Sequence, residues 1–215
     1  MIKKSNQKIP IGKIICLART YKNHAKEMNS KVPPTPLLFL KPESAVIFTN
    51  QSIRIPPQSS CLHHEVELGV VIQKTCAHVS QENALEYVLG YLIGLDITAR
   101  DIQTEAKKQG WPWGIAKGFD TFAPLSDVVL KKEIPTPNNL DLLLKINGIV
   151  KQHSNTSKMT YSIEHIIEYV SHIMTLKTGD LIMTGTPEGV GPINEGDVLD
   201  AELESYCSLH VTVSK

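Results

Sequence analysis

The sequence has few cysteines, and they form no pattern that would bind zinc. The four cysteines are far apart along the 215 residues, and there is no Cys-x-x-Cys pair and no histidine cluster at zinc-finger spacing: Cys16, Cys61, Cys76 and Cys207. This usage excludes a zinc-finger protein. It favours reduced, mostly buried thiols and hence a cytoplasmic location.

The chain also lacks an excess of charge and any long apolar run. Lysine plus arginine and aspartate plus glutamate both number 22, so no net field attracts nucleic acid or an anionic membrane. The apolar residues 14–18 are far too few for the core of a signal segment, and no window reaches membrane-spanning length. A length of 215 residues without internal repeats fits one domain, residues 1–215. We therefore expect neither a nucleic-acid nor a membrane partner.

Residues 63–72 predict a β-strand, because polar and apolar side chains first alternate and then give way to an apolar run. Successive side chains on a strand point to opposite faces, so Glu65 and Glu67 project from the same face. Two carboxylates this close repel each other unless a cation lies between them, and Mg²⁺ and Mn²⁺ prefer such oxygen ligands. The alternative is a solvated edge face that carries two ordinary glutamates.

A second buried strand is predicted over residues 88–96, and it ends in an acid, Asp96. Such an aspartate commonly lies at a functional site, although it can instead serve a turn or a helix cap. Together Glu65, Glu67 and Asp96 would match the oxygen-rich coordination of a hard cation and leave positions for water and substrate.

A short helix is predicted over residues 19–28, with Thr20 as its N-cap. His24 and Glu27 are three residues apart, so they lie on one face of this helix within contact of each other. A carboxylate beside an imidazole orients the ring, which is the arrangement that a general base needs. A surface pair without a catalytic role is the alternative.

Two further segments could contact an anion. Residues 111–120 have no periodicity and predict a structured loop, in which Lys117 either pairs with an anionic substrate or is simply exposed. The glycine-rich residues 185–192 offer backbone N–H groups and the Thr186 hydroxyl to an anion. They lack the Gly-Lys-Thr/Ser ending of a phosphate loop, so no nucleotide site is predicted.

The remaining elements follow from local patterns. Thr98 is predicted to cap a charged helix over residues 99–109. Asn147-Gly148 between two apolar runs predicts a two-residue hairpin turn. Helical spacing of apolar residues predicts a longer helix over residues 160–175.

Four motifs together resemble the fumarylacetoacetate hydrolase family, and their order is most similar to its short acylpyruvate hydrolase branch. The motifs are KNHAKEM (22–28), HHEVELGVVI (63–72), LDITARDIQ (95–103) and GTPEGVGP (185–192). The resemblance covers almost the whole chain. It implies an α+β, β-rich fold, the mixed β-roll of this family with a few flanking helices, assembled as a homodimer. It also implies that residues 1–36 form an N-terminal strand, a lid helix that closes over the substrate, and a loop.

By the same resemblance, each candidate residue takes a role in one site. The implied roles are metal ligands for Glu65, Glu67 and Asp96, a water-activating dyad for His24 and Glu27, a catalytic and substrate-binding lysine in Lys117, and substrate contacts for Gln103, Thr186, Arg19 and Lys41. Two residues depart from the family pattern. Thr20 stands where asparagine is frequent, and Gly118 stands where serine or alanine is common. Both are next to site positions, so they leave the substrate preference open.

Such a site predicts hydrolysis of 2,4-dioxo acids (acylpyruvates) at the C3–C4 bond, giving pyruvate and a carboxylic acid. Mg²⁺, with Mn²⁺ as a second candidate, would chelate the substrate and stabilise the enolate formed on cleavage. His24, oriented by Glu27, would take a proton from the attacking water. Lys117 and Thr186 would hold the developing charge and the carboxylate.

Three alternatives remain open at this point. Oxaloacetate could bind the same metal, and its decarboxylation or keto–enol tautomerisation needs no attacking water. The site could also isomerise or decarboxylate intermediates of aromatic degradation, those of the homoprotocatechuate pathway. A non-catalytic metal- or ligand-binding protein belongs to another class, and the intact pair of His24 and Glu27 argues against it.

Overall fold

The computed structural model describes residues 2–4 and 7–215, and it describes side chains from residue 9 onward. The strands are β1 (Ile2–Lys4), β2 (Gln7–Ile9), β3 (Ile14–Ala18), β4 (Leu37–Lys41), β5 (Val46–Phe48), β6 (Ser52–Arg54), β7 (Leu62–His64), β8 (Val66–Ile72), β9 (Val88–Leu95), β10 (Thr98–Ala99), β11 (Ala123–Leu125), β12 (Val129–Leu130), β13 (Asp141–Ile146), β14 (Ile149–Asn155), β15 (Leu181–Met183), β16 (Gly191–Ile193), β17 (Val198–Leu203) and β18 (Cys207–Ser214). The helices are α1 (Lys22–Glu27), α2 (Gln81–Ala84), α3 (Arg100–Gln109), α4 (Gly114–Lys117) and α5 (Ile163–Ile173). Within these described ranges, no helix has the length and apolarity that crossing a bilayer requires. The expected α+β, β-rich class is confirmed.

The largest sheet has eight strands and mixes parallel with antiparallel pairs. Its order is β4-β3-β15-β8-β9-β11-β5, and β12 also pairs with β9. β3 and β15 are parallel, whereas β8 is antiparallel to both β15 and β9. The carboxyl ends of β3, β15 and β9 and the amino end of β8 therefore lie at one edge of the sheet. We call this the site edge, because residues that flank these strand ends must meet there.

Two smaller sheets fix segments beside the site edge. The five-stranded sheet β14-β13-β17-β18-β6 contains the predicted hairpin, in which Asn147 and Gly148 have the positive φ angles of 51° and 77° that an Asn-Gly turn favours. The three-stranded sheet β10-β7-β16 pairs Gly191 with His64. The end of the glycine-rich segment is thereby held next to the start of the β7–β8 region.

β8 and β9 lie at the centre of the hydrophobic core. Every residue of both strands is buried, as expected for strands covered on both faces. The predicted helix 160–175 is observed as α5, and its apolar stripe, which includes Ile166 and Val170, packs against this core. Ser162 caps α5 by accepting a hydrogen bond from the His165 N–H.

Two predicted helix caps are wrong, for the same physical reason. α1 has Tyr21 as its N-cap, and the Thr20 hydroxyl donates to the backbone oxygen of Thr184 at 2.8 Å instead. Thr98 lies in β10, its hydroxyl accepts a hydrogen bond from Lys117 at 2.7 Å, and α3 begins two residues later. In both cases the hydroxyl group that would have capped the helix forms a hydrogen bond with a residue distant in sequence.

Candidate metal centre and catalytic cavity

Glu65, Glu67 and Asp96 converge at the site edge, as the sequence predicted. One oxygen of each carboxylate lies within 4.8 Å of the others, and all three residues are buried. The register explains this convergence, because Val66 of β8 pairs with Leu95 of β9. The next residues, Glu65 and Asp96, are joined by a hydrogen bond from the Asp96 N–H to the Glu65 carbonyl oxygen at 2.8 Å. Glu67 projects from the same face one pleat further along.

Cations contact two of the three carboxylates. Arg100 donates to Glu65 at 2.5 Å, and Lys117 donates to Glu65 at 2.9 Å and to Asp96 at 2.5 Å. Lys41 donates to the other oxygen of Asp96 at 2.6 Å. Burial raises the pKa of Glu65, but the charges of Lys117 and Arg100 outweigh burial and hold that pKa well below its usual range.

Glu67 differs, since no cation contacts its side chain within the described part of the chain. Its carboxylate accepts the Gly185 N–H at 2.8 Å. Burial, and then the charges of Asp96 and Glu65, raise the pKa of Glu67 well above its usual range. A divalent cation between the three carboxylates would replace the proton and remove this repulsion. An all-oxygen, buried donor set with one carboxylate lacking a counter-charge fits a hard cation such as Mg²⁺ or Mn²⁺.

His24 and Glu27 form the predicted pair on α1. His24 is buried, and its Nδ1–H donates to one oxygen of Glu27 at 3.1 Å. A carboxylate only accepts hydrogen bonds, so in the neutral imidazole this contact places the ring proton on Nδ1 and leaves the lone pair on Nε2. The other oxygen of Glu27 accepts the Gly189 N–H at 3.0 Å, which ties α1 to the glycine-rich loop.

The two lysines predicted to contact substrate are both 2% exposed but have different surroundings. Residues 111–120, predicted as a loop, contain α4, which ends at Lys117. Burial alone would lower the pKa of Lys117, but Asp96 and Glu65 raise it, so the ammonium ion persists beside the carboxylates. Lys117 also lines the cavity described below, whereas Lys41 does not. The ammonium group of Lys41 instead contacts Asp96 and holds that carboxylate in place, and a substrate contact for Lys41 stays a prediction.

The glycine-rich loop directs two backbone N–H groups at the protein's own carboxylates, Glu67 and Glu27. Gly185 has a φ of 94°, and a side chain there would collide with the Thr20 hydroxyl, so the loop needs glycine at this position. The sequence predicted that these N–H groups would bind a substrate anion. The N–H groups of Gly185 and Gly189 are therefore not free for a substrate anion, whereas the Thr186 hydroxyl lines the cavity.

Glu65, Glu67, His24 and Thr186 face one cavity of about 30 Å³. The other residues that line it are Leu17, Ala18, Arg19, Met28, Phe39, Arg100, Gln103, Lys107, Trp113 and Lys117. Arg19 and Gln103, both predicted as substrate contacts, are thus present, whereas Asp96 and Glu27 support the cavity from behind. A volume of this size holds roughly one water molecule.

Two buried or half-buried polar residues that the sequence did not single out hold these parts together. Arg100, which contacts Glu65, also donates to the side-chain oxygen of Gln103 at 2.6 Å. Gln152 accepts the Val66 N–H at 3.0 Å and donates to the Thr186 hydroxyl at 2.8 Å. The bond from Gln152 leaves the proton of Thr186 free to be donated into the cavity. The position of Arg100, shortly after a predicted strand that ends in an acid, could have marked it as a site residue. No local pattern marks Gln152, because it reaches the site from another sheet.

The two departures from the family pattern are explained by packing. The Thr20 hydroxyl is satisfied by the Thr184 carbonyl oxygen, so threonine serves this backbone contact at the site edge. At Gly118, a Cβ would lie 2.6 Å from the Gly114 carbonyl oxygen, which is closer than side chains tolerate. The turn that ends α4 therefore has no room for a serine or alanine side chain without a shift of the backbone.

Comparisons with known proteins agree with one another. A family model described as fumarylacetoacetate (FAA) hydrolase C-terminal matches residues 13–214. The mitochondrial oxaloacetate tautomerase of Bos taurus is 47% identical over 202 residues, which cover 94% of this chain and 91% of that protein. The mitochondrial oxaloacetate decarboxylase of Dictyostelium discoideum is 45% identical over 188 residues, 87% of this chain and 86% of that protein. The crystal structure of fumarylpyruvate hydrolase from Pseudomonas aeruginosa, in complex with Mn²⁺ and pyruvate, has a TM-score of 0.94 and 33% identity over 99% of this chain and 94% of that one. The expected β-roll is thereby confirmed.

Proposed function

The chain belongs to the fumarylacetoacetate hydrolase family, and from that premise we propose that it is a divalent-metal-dependent hydrolase that cleaves the C3–C4 bond of 2,4-dioxo acids (acylpyruvates). The products are pyruvate and a carboxylic acid. The observation that carries the proposal is that His24, oriented by Glu27, faces the same cavity as the carboxylates Glu65 and Glu67. This hydrolysis needs a general base that activates water and a binding site for a hard cation.

Different residues serve the successive steps of this reaction. Nε2 of His24 accepts a proton from water, and the resulting oxygen nucleophile adds to the C4 carbonyl carbon. The C3–C4 bond then breaks, and its electron pair passes to the pyruvate fragment, which takes up a proton at C3. Lys117 and the Thr186 hydroxyl, which both face the cavity, are assigned to the developing negative charge and the carboxylate.

Glu65, Glu67 and Asp96 would hold the metal ion, for which we propose Mg²⁺ with Mn²⁺ as an alternative. When bound, such an ion supplies Lewis-acid stabilisation of negative charge on the 2-oxo acid. Arg100, Lys117 and Lys41 contact two of these carboxylates and hold them in position, so the ligands are in place before the ion binds.

Replacing His24 tests this function. His24→Ala should lower kcat for acetylpyruvate in Mg²⁺ by on the order of a hundredfold or more, the usual scale for a general base. The same variant should keep the rise in melting temperature that Mg²⁺ gives the wild-type protein, because the three carboxylates are unchanged. His165→Ala is the matched control, since His165 also lies three residues before a glutamate, Glu168, but on α5. Undiminished turnover in His24→Ala would show that His24 is not the base.

A second candidate activity is decarboxylation or tautomerisation of oxaloacetate at the same metal site. The observation that favours it is the 47% identity with the bovine oxaloacetate tautomerase over nearly the whole chain. Neither reaction needs an attacking water, so His24→Ala should reduce acetylpyruvate hydrolysis far more than oxaloacetate decarboxylation. Rates of pyruvate formation from both substrates, measured on the wild type and on His24→Ala, separate hydrolysis from decarboxylation, and the change in enol absorbance of oxaloacetate measures tautomerisation.

We further propose a homodimer of single catalytic domains that acts in the cytoplasm, with residues 1–36 supplying the lid. The four free cysteines are compatible with a reducing compartment. For the dimer contact, we select the apolar face formed by Leu37, Leu40, Trp111, Pro112 and Ile115, which lies along β4 at an edge of the eight-stranded sheet. Leu40, Trp111 and Ile115 are 49%, 61% and 70% exposed, and exposed side chains of this kind mark interaction surfaces.

A further inference from the structure

Two cations at the cavity, Arg19 and Lys107, have no carboxylate partner among the described residues. Both line the cavity, yet neither makes a side-chain hydrogen bond or an ion pair there. Arg19 is half-buried, so part of its hydration is lost without compensation from the protein, whereas Lys107 is exposed. Positive charge that lines the cavity without a carboxylate partner favours an anion from outside as that partner.

The other cations of the site are already matched. Lys41, Lys117 and Arg100 contact Asp96 and Glu65 directly, as described above. Arg19 and Lys107 therefore represent positive charge beyond what the carboxylates require. A divalent ion on the three carboxylates would add to this excess, so the complete site favours a substrate with more than one negative charge.

Backbone geometry places these two cations toward the cavity. Arg100, Gln103 and Lys107 are spaced i, i+3, i+7 on α3 and so lie on one helical face. The ammonium group of Lys107 lies 5.3 Å from the centre of the Trp113 ring, which also lines the cavity. Arg19 follows β3 at the site edge and adopts a φ of 61°, a left-handed conformation that is unusual for a residue other than glycine. Such backbone strain clusters at ligand sites.

We propose that Lys107, together with Arg19, binds a second carboxylate at the far end of the substrate, so that this site selects dicarboxylic 2-oxo acids over those with an uncharged tail. This inference rests on the proposed function for the reacting end of the substrate. It assigns the preference among substrates to a lysine that takes no part in bond cleavage. The class includes oxaloacetate and acylpyruvates with an acidic acyl group.

Kinetics on paired substrates test the assignment. Succinylpyruvate and pentanoylpyruvate share the 2,4-dioxo acid end and differ in whether the tail carries a carboxylate. In Lys107→Met, KM for succinylpyruvate should rise roughly 10- to 100-fold, the scale of a lost charge-assisted hydrogen bond, while KM for pentanoylpyruvate and both kcat values stay unchanged. Lys107→Arg should restore much of the loss, because it keeps the positive charge.

Lys108→Met is the matched control. Lys108 is the next residue on α3 and is exposed like Lys107, but it contacts Glu105 at 3.8 Å and does not line the cavity. This variant should leave both KM values unchanged. Equal changes for the two substrates in Lys107→Met, no change for either, or the same change in Lys108→Met would overturn the assignment.

A binding measurement separates failure of this inference from failure of the proposed function. Calorimetry in Mg²⁺ compares 2-oxoglutarate with 2-oxovalerate, which differ mainly in the tail carboxylate. Wild type should bind 2-oxoglutarate at least tenfold more tightly, and Lys107→Met should abolish that difference. If wild type hydrolyses neither acylpyruvate but keeps this binding preference, the hydrolase assignment fails and the carboxylate assignment stands. Equal affinity of wild type for the two acids would refute the carboxylate assignment.

Discussion

Glu65 and Glu67 are two residues apart, and their surroundings shift their pKa values in opposite directions. Glu65 has the cations Arg100 and Lys117 within hydrogen-bonding distance, whereas Glu67 has burial, two like charges and a single N–H. Environments that separate the pKa values of neighbouring carboxyl groups are typical of functional sites. At the scale of residues, the site is thus defined by which charges are matched and which are not.

The same reasoning gives a pH dependence for Lys107. Partial desolvation, and then the charges of Arg100 and Arg19, lower its pKa to about 8, against the opposing charge of Glu65. The charge of Lys117, which faces the same cavity, acts in the same direction as the two arginines. A cation with a lowered pKa is fully charged below that pKa and loses its charge as the pH rises through it. KM for a dicarboxylic substrate should therefore rise above pH 8, approaching tenfold per pH unit.

Two variants, compared with the wild type, test this pH dependence through KM measured from pH 6.5 to 9.5. The rise should be absent in Lys107→Met, because no charge remains to be lost. It should move beyond the measured range in Lys107→Arg, since the guanidinium stays protonated. A rise of equal size in Lys107→Met would assign the pH dependence to another group.

At the scale of elements, α1 depends on its neighbours for its position. Six residues are far too few for a stable isolated helix, so tertiary contacts must hold it. Two side-chain bonds connect it to the glycine-rich loop: Glu27 accepts the Gly189 N–H, and Asn23 donates to Glu188 at 3.1 Å. The cavity beneath has room for roughly one water, so movement of α1 away from this loop would make room for a 2-oxo acid.

Removal of one bond should shift α1 toward the open form. Glu188→Ala eliminates the bond from Asn23, and we expect amide hydrogens of residues 22–28 to exchange several-fold faster, consistent with the modest free energy of one exposed hydrogen bond. Hydrogen–deuterium exchange followed by mass spectrometry measures this. Glu164→Ala is the control, because it removes similar bonding from Asn138 to a glutamate on α5. This variant should leave the exchange of residues 22–28 unchanged. Unchanged exchange over residues 22–28 in Glu188→Ala would show that this bond does not restrain α1.

At the scale of the whole molecule, the apolar face along β4 is adjacent to the catalytic cavity. Phe39 and Trp113 line both the cavity and the groove next to Leu40 and Trp111. An edge strand with exposed apolar side chains pairs readily with another surface unless it is covered. A second copy of the chain covering this face would thus also support one wall of this cavity.

Charge placed on this face should disrupt the proposed dimer. Trp111→Lys should convert the sedimentation coefficient from that of a dimer to that of a monomer, because it buries a charge opposite an apolar surface. Ile149→Lys is the control, since Ile149 is 62% exposed but lies on the hairpin of the five-stranded sheet. A wild-type protein that sediments as a monomer, or a Trp111→Lys variant that remains dimeric, would refute the choice of this face.

Local sequence patterns were sufficient to predict much of the fold and the central residues of the site. The structure realises the geometry of three short-range features. They are the alternation around Glu65 and Glu67, the acid that follows β9, and the i, i+3 spacing of His24 and Glu27. The hairpin at Asn147 was also predictable, because its turn chemistry is local. Patterns of this kind depend only on the periodicity of strand and helix.

The sequence by itself determined which side chains share a face and which strands are buried, because these properties depend on residues a few positions apart. Only the tertiary structure decided that Thr20 and Thr98 bond to distant partners, that Lys41 lies behind Asp96, and that Gln152 reaches Thr186 from another sheet. It also decided that, among the described residues, no carboxylate contacts the side chains of Arg19 and Lys107, which line the cavity. The physical reason is that pairing of charges and hydroxyl groups is set by distance in space, which strand register and sheet order fix over separations of tens to more than a hundred residues.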